Sequence, residues 1–148
     1  MTVPVSPAVV LEQPDAAAVV PVRTWAVVLF VMLGGAAGSL ARFAVALLLP
    51  HSAVAGFPWA TLAVNGAGCF LIGVVMVLVA GAHPLWRPLL GTGFLGGFTT
   101  FSTYAVDTVL LVERGSYGTA AAYVFGTLAL AMAAAIGGTA LTRAVRRR

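Results

Sequence analysis

Four long apolar stretches constrain the fold of this chain more than any other feature of its sequence. A helix needs about 20 apolar residues to cross a hydrocarbon layer about 30 Å thick, and each stretch reaches that length. Charged residues make up only 8% of the chain, against about 25% in soluble domains. The sequence therefore predicts an all-α integral membrane protein. Its four transmembrane helices are expected at about residues 24–49, 59–80, 85–112 and 117–142.

Short polar segments flank this membrane domain. Residues 1–22 contain four prolines and no sustained hydrophobic period, which predicts a disordered N-terminal tail. Residues 23–143 form the four-helix transmembrane domain, and residues 144–148 form a basic C-terminal tail. Three of the helices begin with a tryptophan, as interfacial aromatic residues do: Trp25, Trp59 and Trp86.

Arginines are distributed unevenly between the two ends of the predicted helices. With four crossings, both termini and the loop near residues 83–88 fall on one side of the membrane, and most arginines lie there. They are Arg23, Arg87, Arg143, Arg146, Arg147 and Arg148. The positive-inside rule therefore predicts cytoplasmic termini. Clustering at the helix ends also argues against a basic face that binds nucleic acid.

Catalytic chemistry has little support in the sequence. The one cysteine, Cys69, lies in an apolar stretch and excludes an internal disulfide framework. The two histidines, His51 and His83, fall in separate expected loops, so a histidine metal site is not expected. We see no nucleophile with a neighbouring base and expect a protein that is not an enzyme.

The third stretch departs from a plain apolar helix near residues 96–100. Gly96 and Gly97 are followed closely by Thr99 and Thr100, and this run predicts a break in the helix at mid-membrane depth. Lipid offers no partner to a freed backbone group, so such a break is tolerated only where it lines a buried cavity or an ion path. The freed carbonyl oxygens would suit a hard cation. A small-residue packing notch without unwinding is the alternative.

Two polar side chains in the first two stretches are unusual at membrane depth. Arg42 lies about eight residues before the end of the first stretch at Pro50. It is either an interfacial anchor or a positive charge that faces an anion. Asn65 lies about one and a half turns into the second stretch. Its side-chain NH2 group either joins two helices or donates to an anion.

Further candidates lie on the third and fourth stretches. Phe101 and Tyr104 are three residues apart and share one helical face. They either fill the core or turn the positive edges of their rings toward an anion. Asp107 continues this face and is expected to cap a helix end or pair with an arginine. Thr127 lies near mid-depth in the fourth stretch and either bonds the carbonyl group four residues earlier or serves a polar path.

Three motifs occur together and in order in this chain. They are Gly-Gly-Ala-Ala-Gly-Ser-Leu-Ala-Arg-Phe at 34–43, Thr-Leu-Ala-Val-Asn-Gly-Ala-Gly-Cys-Phe-Leu-Ile-Gly at 61–73 and Gly-Phe-Leu-Gly-Gly-Phe-Thr-Thr-Phe-Ser-Thr-Tyr at 93–104. With them the chain resembles the Fluc (CrcB) family of fluoride channels over about residues 25–142. The resemblance implies a passive, fluoride-selective channel that exports fluoride across the bacterial plasma membrane and so protects against fluoride toxicity. It also implies an antiparallel, dual-topology dimer embedded in lipid.

The resemblance assigns roles to individual residues. The backbone carbonyl groups of Gly96 and Thr99 from each subunit would bind a structural sodium ion at the centre of the dimer. Asn65 would donate to fluoride, and Arg42 would lie in the vestibule. The fluoride pathway as a whole would be lined by Asn65, Phe101, Tyr104, Arg42, Ser102, Thr103 and Thr127.

Some features differ from the family pattern or leave alternatives open. Tyr104 stands where the family has phenylalanine, and the hydroxyl pair of the fourth helix is only partly present around Thr127. The arginine bias would suit one fixed-orientation subunit of a two-gene channel, as an alternative to a homodimer. A small four-helix multidrug exporter would need a carboxylate in its first helix, and residues 24–49 contain none. A non-transporting assembly protein would explain the glycines but not the clustered hydroxyl groups.

Overall fold

The computed structural model describes residues 22–49 and 56–148. Its regular elements in these ranges are α1 (Thr24–Leu48), α2 (Trp59–Leu78), a π-helix (Arg87–Leu95), α3 (Gly96–Phe98), α4 (Phe101–Glu113) and α5 (Tyr117–Arg146). The N-terminal tail up to residue 21 and the expected loop around His51 lie outside the described residues.

Within the described ranges, four helical segments are long and apolar enough to cross a membrane. They are Thr24–Leu48, Trp59–Leu78, Arg87–Glu113 and Tyr117–Arg146. The prediction of an all-α membrane protein with four spans is therefore confirmed. The fourth span continues beyond the predicted end at residue 142, so that Arg143 and Arg146 belong to α5.

The third span, Arg87–Glu113, changes its backbone conformation along its length. It begins as a π-helix, a form that usually occurs as short insertions in α-helices. The backbone of Thr99 (φ −72°, ψ 158°) and of Thr100 (φ −142°, ψ 123°) is extended, and α4 starts at Phe101. The span therefore consists of two helical halves joined by two extended residues.

Close backbone contacts hold the spans together in two pairs. α1 packs against the first half of the third span, where a Cβ atom on Gly38 would overlap the carbonyl oxygen of Phe94. α2 packs against α5, where a Cβ atom on Gly138 would overlap the carbonyl oxygen of Phe70. Small residues let helices approach closely in lipid, where packing drives association. The glycines of the sequence thus mark the two contact lines.

The second half of the third span packs differently from the first. α4 lies against α5, and Leu111 meets Ala120 and Tyr123 in a small buried core. Both halves contact α2, but the first half also contacts α1 and the second half also contacts α5. The extended residues Thr99 and Thr100 lie where these two packing arrangements meet.

Candidate functional site

A cavity of about 450 Å³ lies between α2, the two extended threonines and α5. It is lined by Asn65, Cys69, Thr99, Thr100, Phe101, Tyr104, Thr127, Leu128 and Ala131. We call it the Asn65 cavity. It brings together residues from three spans that the sequence analysis had singled out separately. Four of the seven residues expected on a fluoride path line it: Asn65, Phe101, Tyr104 and Thr127.

The side chain of Asn65 forms two hydrogen bonds with the backbone of Thr100. The Thr100 N–H donates to Asn65 Oδ1 at 2.8 Å, and Asn65 Nδ2 donates to the Thr100 carbonyl oxygen at 2.9 Å. Both residues are buried. Asn65 thus provides hydrogen-bond partners for the N–H and the carbonyl group of Thr100, which the extended conformation removes from the hydrogen bonding of the helix. Its NH2 group carries two hydrogens, and the bond to Thr100 uses one.

The hydroxyl group of Thr100 caps the N-terminus of α4. Its Oγ1 accepts a hydrogen bond from the Thr103 N–H at 3.1 Å, the arrangement of an N-cap residue. The same atom donates to the Thr103 hydroxyl at 3.0 Å and lies 3.3 Å from the Ser102 hydroxyl. A threonine before an apolar helical run is an N-cap signal that could have been recognised in the sequence. Ser102 and Thr103 are therefore tied to the cap, and neither lines the Asn65 cavity.

These bonds change the partners of two backbone carbonyl groups. In a continuous helix, the N–H of Thr100 would donate to the carbonyl oxygen of Gly96, and the N–H of Thr103 to that of Thr99. Here the first N–H donates to Asn65 and the second to the Thr100 hydroxyl. Both carbonyl groups thereby lose their usual helical donor.

Arg42 of α1 contacts the third span at Gly97, before the extended residues that Asn65 contacts. Its Nε donates to the carbonyl oxygen of Gly97 at 3.2 Å, and the Ser39 hydroxyl lies 3.5 Å from the same oxygen. A cation at a helix C-terminus interacts favourably with the helix dipole. Arg42 is half-buried and lines a second cavity of about 240 Å³ between α1, α2 and α4. We call this the Arg42 cavity; Thr103 also lines it, and Thr100 lines both cavities.

The aromatic residues after the extended segment form a contact chain. The rings of Phe101 and Tyr104 lie 5.7 Å apart between centroids, and those of Tyr104 and Tyr123 lie 5.3 Å apart. The hydroxyl of Tyr104 donates to the carbonyl oxygen of Val124 at 3.4 Å. This bond fastens the ring to α5. The tyrosine at this position therefore adds a link between two helices.

Thr127 has a buried hydroxyl group without a hydrogen bond to any described residue. The side chain is only 7% exposed, and its Oγ1 has no partner. Two other threonines of α5 bond the carbonyl group four residues earlier: Thr139 to Ala135 and Thr142 to Gly138, each at 2.8 Å. The structural alternative considered for Thr127, the same bond to its own i−4 carbonyl, is thus not formed. Thr127 is one of the residues that line the Asn65 cavity.

Asp107 lies in a buried polar cluster between α4, α2 and α5. It is 1% exposed, and its Oδ2 accepts hydrogen bonds from the Thr61 hydroxyl at 2.8 Å and the Tyr123 hydroxyl at 3.2 Å. Asp107 stands out in the sequence, but its partner Thr61 does not, because the two residues lie 46 positions apart.

Side-chain metal ligands are not clustered in the described part of the chain. Among residues 22–49 and 56–148, no group of three or more His, Cys, Asp or Glu side chains could hold a metal ion. Any cation site in these ranges would therefore depend on backbone oxygens.

The fold and these cavities define a small multi-pass membrane protein with polar groups enclosed among its spans. The sequence matches the family of CrcB-like protein, Camphor Resistance (CrcB), over residues 29–139. The chain belongs to this family. The matched residues extend from the first span into the fourth.

Several relatives with assigned names support this membership. Fluoride-specific ion channel FluC 2 of Streptomyces avermitilis is 55% identical over 105 residues, which cover 69% of this chain and 66% of the relative. Fluoride-specific ion channel FluC 2 of Nocardia farcinica is 44% identical over 132 residues, 87% of this chain and 94% of the relative. Fluoride-specific ion channel FluC of Paracoccus denitrificans is 48% identical over 116 residues, which cover 76% of this chain and 91% of the relative.

Proposed function

We propose that this chain is a subunit of a fluoride-specific ion channel, the activity named for its relatives. Hydrogen fluoride diffuses into a cell, dissociates at neutral pH and leaves fluoride inside. A passive path in the bacterial plasma membrane would return fluoride to the outside and limit its toxicity. The Asn65 cavity carries the proposal, since it is lined by Asn65 and by Thr127, whose buried hydroxyl bonds none of the described residues.

Fluoride is small and strongly hydrated, so a path must replace its water with other donors. The Thr127 hydroxyl and the second hydrogen of Asn65 Nδ2 can supply two such bonds. The edges of the Phe101 and Tyr104 rings carry partial positive charge. None of these groups carries a full charge, so fluoride would bind weakly enough to leave again.

The two cavities suggest a route. The guanidinium group of Arg42 would attract anions to the Arg42 cavity, where a fixed charge raises their local concentration. Thr100 lines both cavities and would lie where the anion passes from one to the other. On this route the interruption of the third span lies at membrane depth, with its polar groups turned toward the ion path.

The carbonyl groups of Gly96 and Thr99 fit a structural sodium ion. Both have lost their helical donors to Asn65 and to Thr100, and carbonyl oxygens at unwound helix segments are suitable ligands for Na+. A bound ion would supply positive charge next to these oxygens. A second subunit would contribute an equivalent pair.

We also propose that the chain functions as an antiparallel dimer. Phe101, on the wall of the Asn65 cavity, is 79% exposed in the single chain. A residue that lines an ion path cannot face lipid at the same time, so a partner surface would cover it. A second copy in opposite orientation would cover it and complete a second, symmetry-related path.

The arginine distribution favours a second arrangement, in which the partner is a homologous subunit of fixed, opposite orientation. A reporter fused to the C-terminus distinguishes the two. A homodimer is expected to yield both orientations in the membrane. If every C-terminus is cytoplasmic, the homodimer is ruled out and the chain is one of two paired subunits. The arginines of α5 would then explain its fixed orientation.

Fluoride efflux from liposomes tests the proposed function. Purified full-length protein, reconstituted with any required partner subunit, is expected to release fluoride and to retain chloride. A fluoride electrode and a chloride electrode measure the two ions in parallel. Equal release of both ions, or release of neither, would contradict the proposal.

A substitution at Thr127 tests the observation on which the proposal depends. Thr127→Val keeps the shape and removes the hydroxyl, and is expected to lower fluoride efflux about tenfold or more, since a hydrogen bond to an ion contributes about 1.5–3 kcal/mol. Thr142→Val is the matched control, because that buried hydroxyl bonds Gly138 within the same helix. Equal effects of the two substitutions would argue that Thr127 has only a structural role.

A further inference from the structure

Cys69 lies on the wall of the Asn65 cavity. It follows Asn65 by four residues on α2, so the two side chains lie on the same face of the helix. Cys69 is half-buried, its thiol is free, and it is the one cysteine of the chain. A reagent that reacts with thiols would therefore act at a single position.

A second observation indicates that this cavity receives a polar guest. Thr127, which lines the same cavity, has a buried hydroxyl with no hydrogen-bond partner in the described part of the chain. A buried polar group normally has a partner, so a polar guest of the cavity is a candidate partner for this hydroxyl. The cavity, at about 450 Å³, has room for a small molecule beside the thiol.

We propose that Cys69 lines the ion path and that its thiol is a modification site for small electrophiles, whose attachment closes the path. This inference rests on the proposed channel function and adds a role for a position of the second motif to which none was assigned. A group attached to Sγ would lie beside Asn65 and Thr127, the two donors of the cavity. An apolar adduct there offers fluoride no replacement for its water.

Methyl methanethiosulfonate is a suitable probe because it is small, uncharged and specific for thiols. The thiolate of Cys69 attacks the sulfenyl sulfur of the reagent and forms a disulfide, Cys–S–S–CH3. The bond between the two sulfur atoms of the reagent breaks, methanesulfinate leaves, and the thiol proton passes to solvent. Dithiothreitol reverses the reaction and restores the thiol.

The experiment uses the full-length protein, together with any required partner, in liposomes. Fluoride efflux is measured before and after exposure to the reagent, and mass spectrometry gives the fraction of Cys69 modified. Efflux is expected to fall about fivefold or more when the path is blocked and to recover with dithiothreitol. Fluoride present during exposure is expected to slow the modification, whereas chloride is not.

Two variants provide the controls, each compared with its own efflux before the reagent. Cys69→Ser has no thiol and is expected to be insensitive. Cys69→Ser combined with Ala82→Cys moves the thiol to an exposed position in the loop after α2, where modification is expected without loss of efflux.

The outcomes separate this inference from the proposed function. Wild-type protein that releases no fluoride before the reagent is added contradicts the channel function itself. Wild-type protein that conducts but keeps its efflux after Cys69 is fully modified contradicts the inference alone. A conducting protein whose Cys69 takes up no reagent also overturns it, because the thiol would then not be reachable from the path.

Discussion

Replacing Asn65 with alanine is expected to abolish fluoride transport, with a loss of about 100-fold or more. The substitution removes both hydrogen bonds to Thr100 and leaves a buried N–H and a buried carbonyl group without partners. Each such group costs about 1–3 kcal/mol. The same side chain is a proposed donor to fluoride, so the change affects the support of the third span and the path together. Efflux from liposomes and thermal unfolding of the purified protein measure the two effects.

Asn65→Asp separates the contributions of the two bonds. Aspartate keeps an oxygen that can accept from the Thr100 N–H, but places a second oxygen opposite the Thr100 carbonyl group. A negative charge in the cavity also repels fluoride. We expect this variant to transport as poorly as Asn65→Ala. Wild-type efflux from either variant would show that Asn65 neither supports the extended segment nor contacts the ion.

Replacing Arg42 is expected to distinguish its hydrogen bond from its charge. Glutamine carries an NH2 group at the same distance along the side chain as Arg Nε, so Arg42→Gln can still donate to the Gly97 carbonyl oxygen, which accepts at 3.2 Å from Arg42. Methionine has a similar length without a donor. Arg42→Met is therefore expected to lower thermal stability. It is also expected to lower efflux about tenfold or more, because the lost hydrogen bond contributes about 1.5–3 kcal/mol.

Arg42→Gln is expected to retain most of the stability and to lose only the electrostatic attraction of anions. That loss should be a few-fold at low salt and should shrink at 1 M salt, where charges are screened within about 3 Å. Efflux measured across a salt series with an inert electrolyte provides the comparison. If Arg42→Gln and Arg42→Met behave alike in stability, the bond to Gly97 does not position the third span.

The membrane spans could be predicted from the sequence because they depend on local composition. About 20 consecutive apolar residues are enough to define a crossing, whatever they later contact. The shared face of Phe101 and Tyr104 was likewise predictable from their spacing of three residues. The extension of α5 to Arg146 was not, because arginines at a helix end are compatible with either a helix or a tail.

The partners of the polar side chains could not be predicted in the same way. Asn65 and Thr100 are 35 residues apart, and Arg42 and Gly97 are 55 apart. Which groups meet across such distances depends on helix packing. For Thr127, the sequence allowed a bond within its own helix, and only the three-dimensional arrangement shows that the bond is absent among the described residues.

The pairing of Asn65 with Thr100 has a consequence for membrane insertion. The extended segment obtains two of its backbone hydrogen bonds from a side chain of α2, so the third span cannot satisfy its own backbone in lipid. Each unsatisfied group in hydrocarbon costs several kcal/mol. Because α2 precedes the third span in the chain, its asparagine is already in the membrane when the third span arrives. The order of segments along the sequence thus places the hydrogen-bonding partner of the extended segment before that segment.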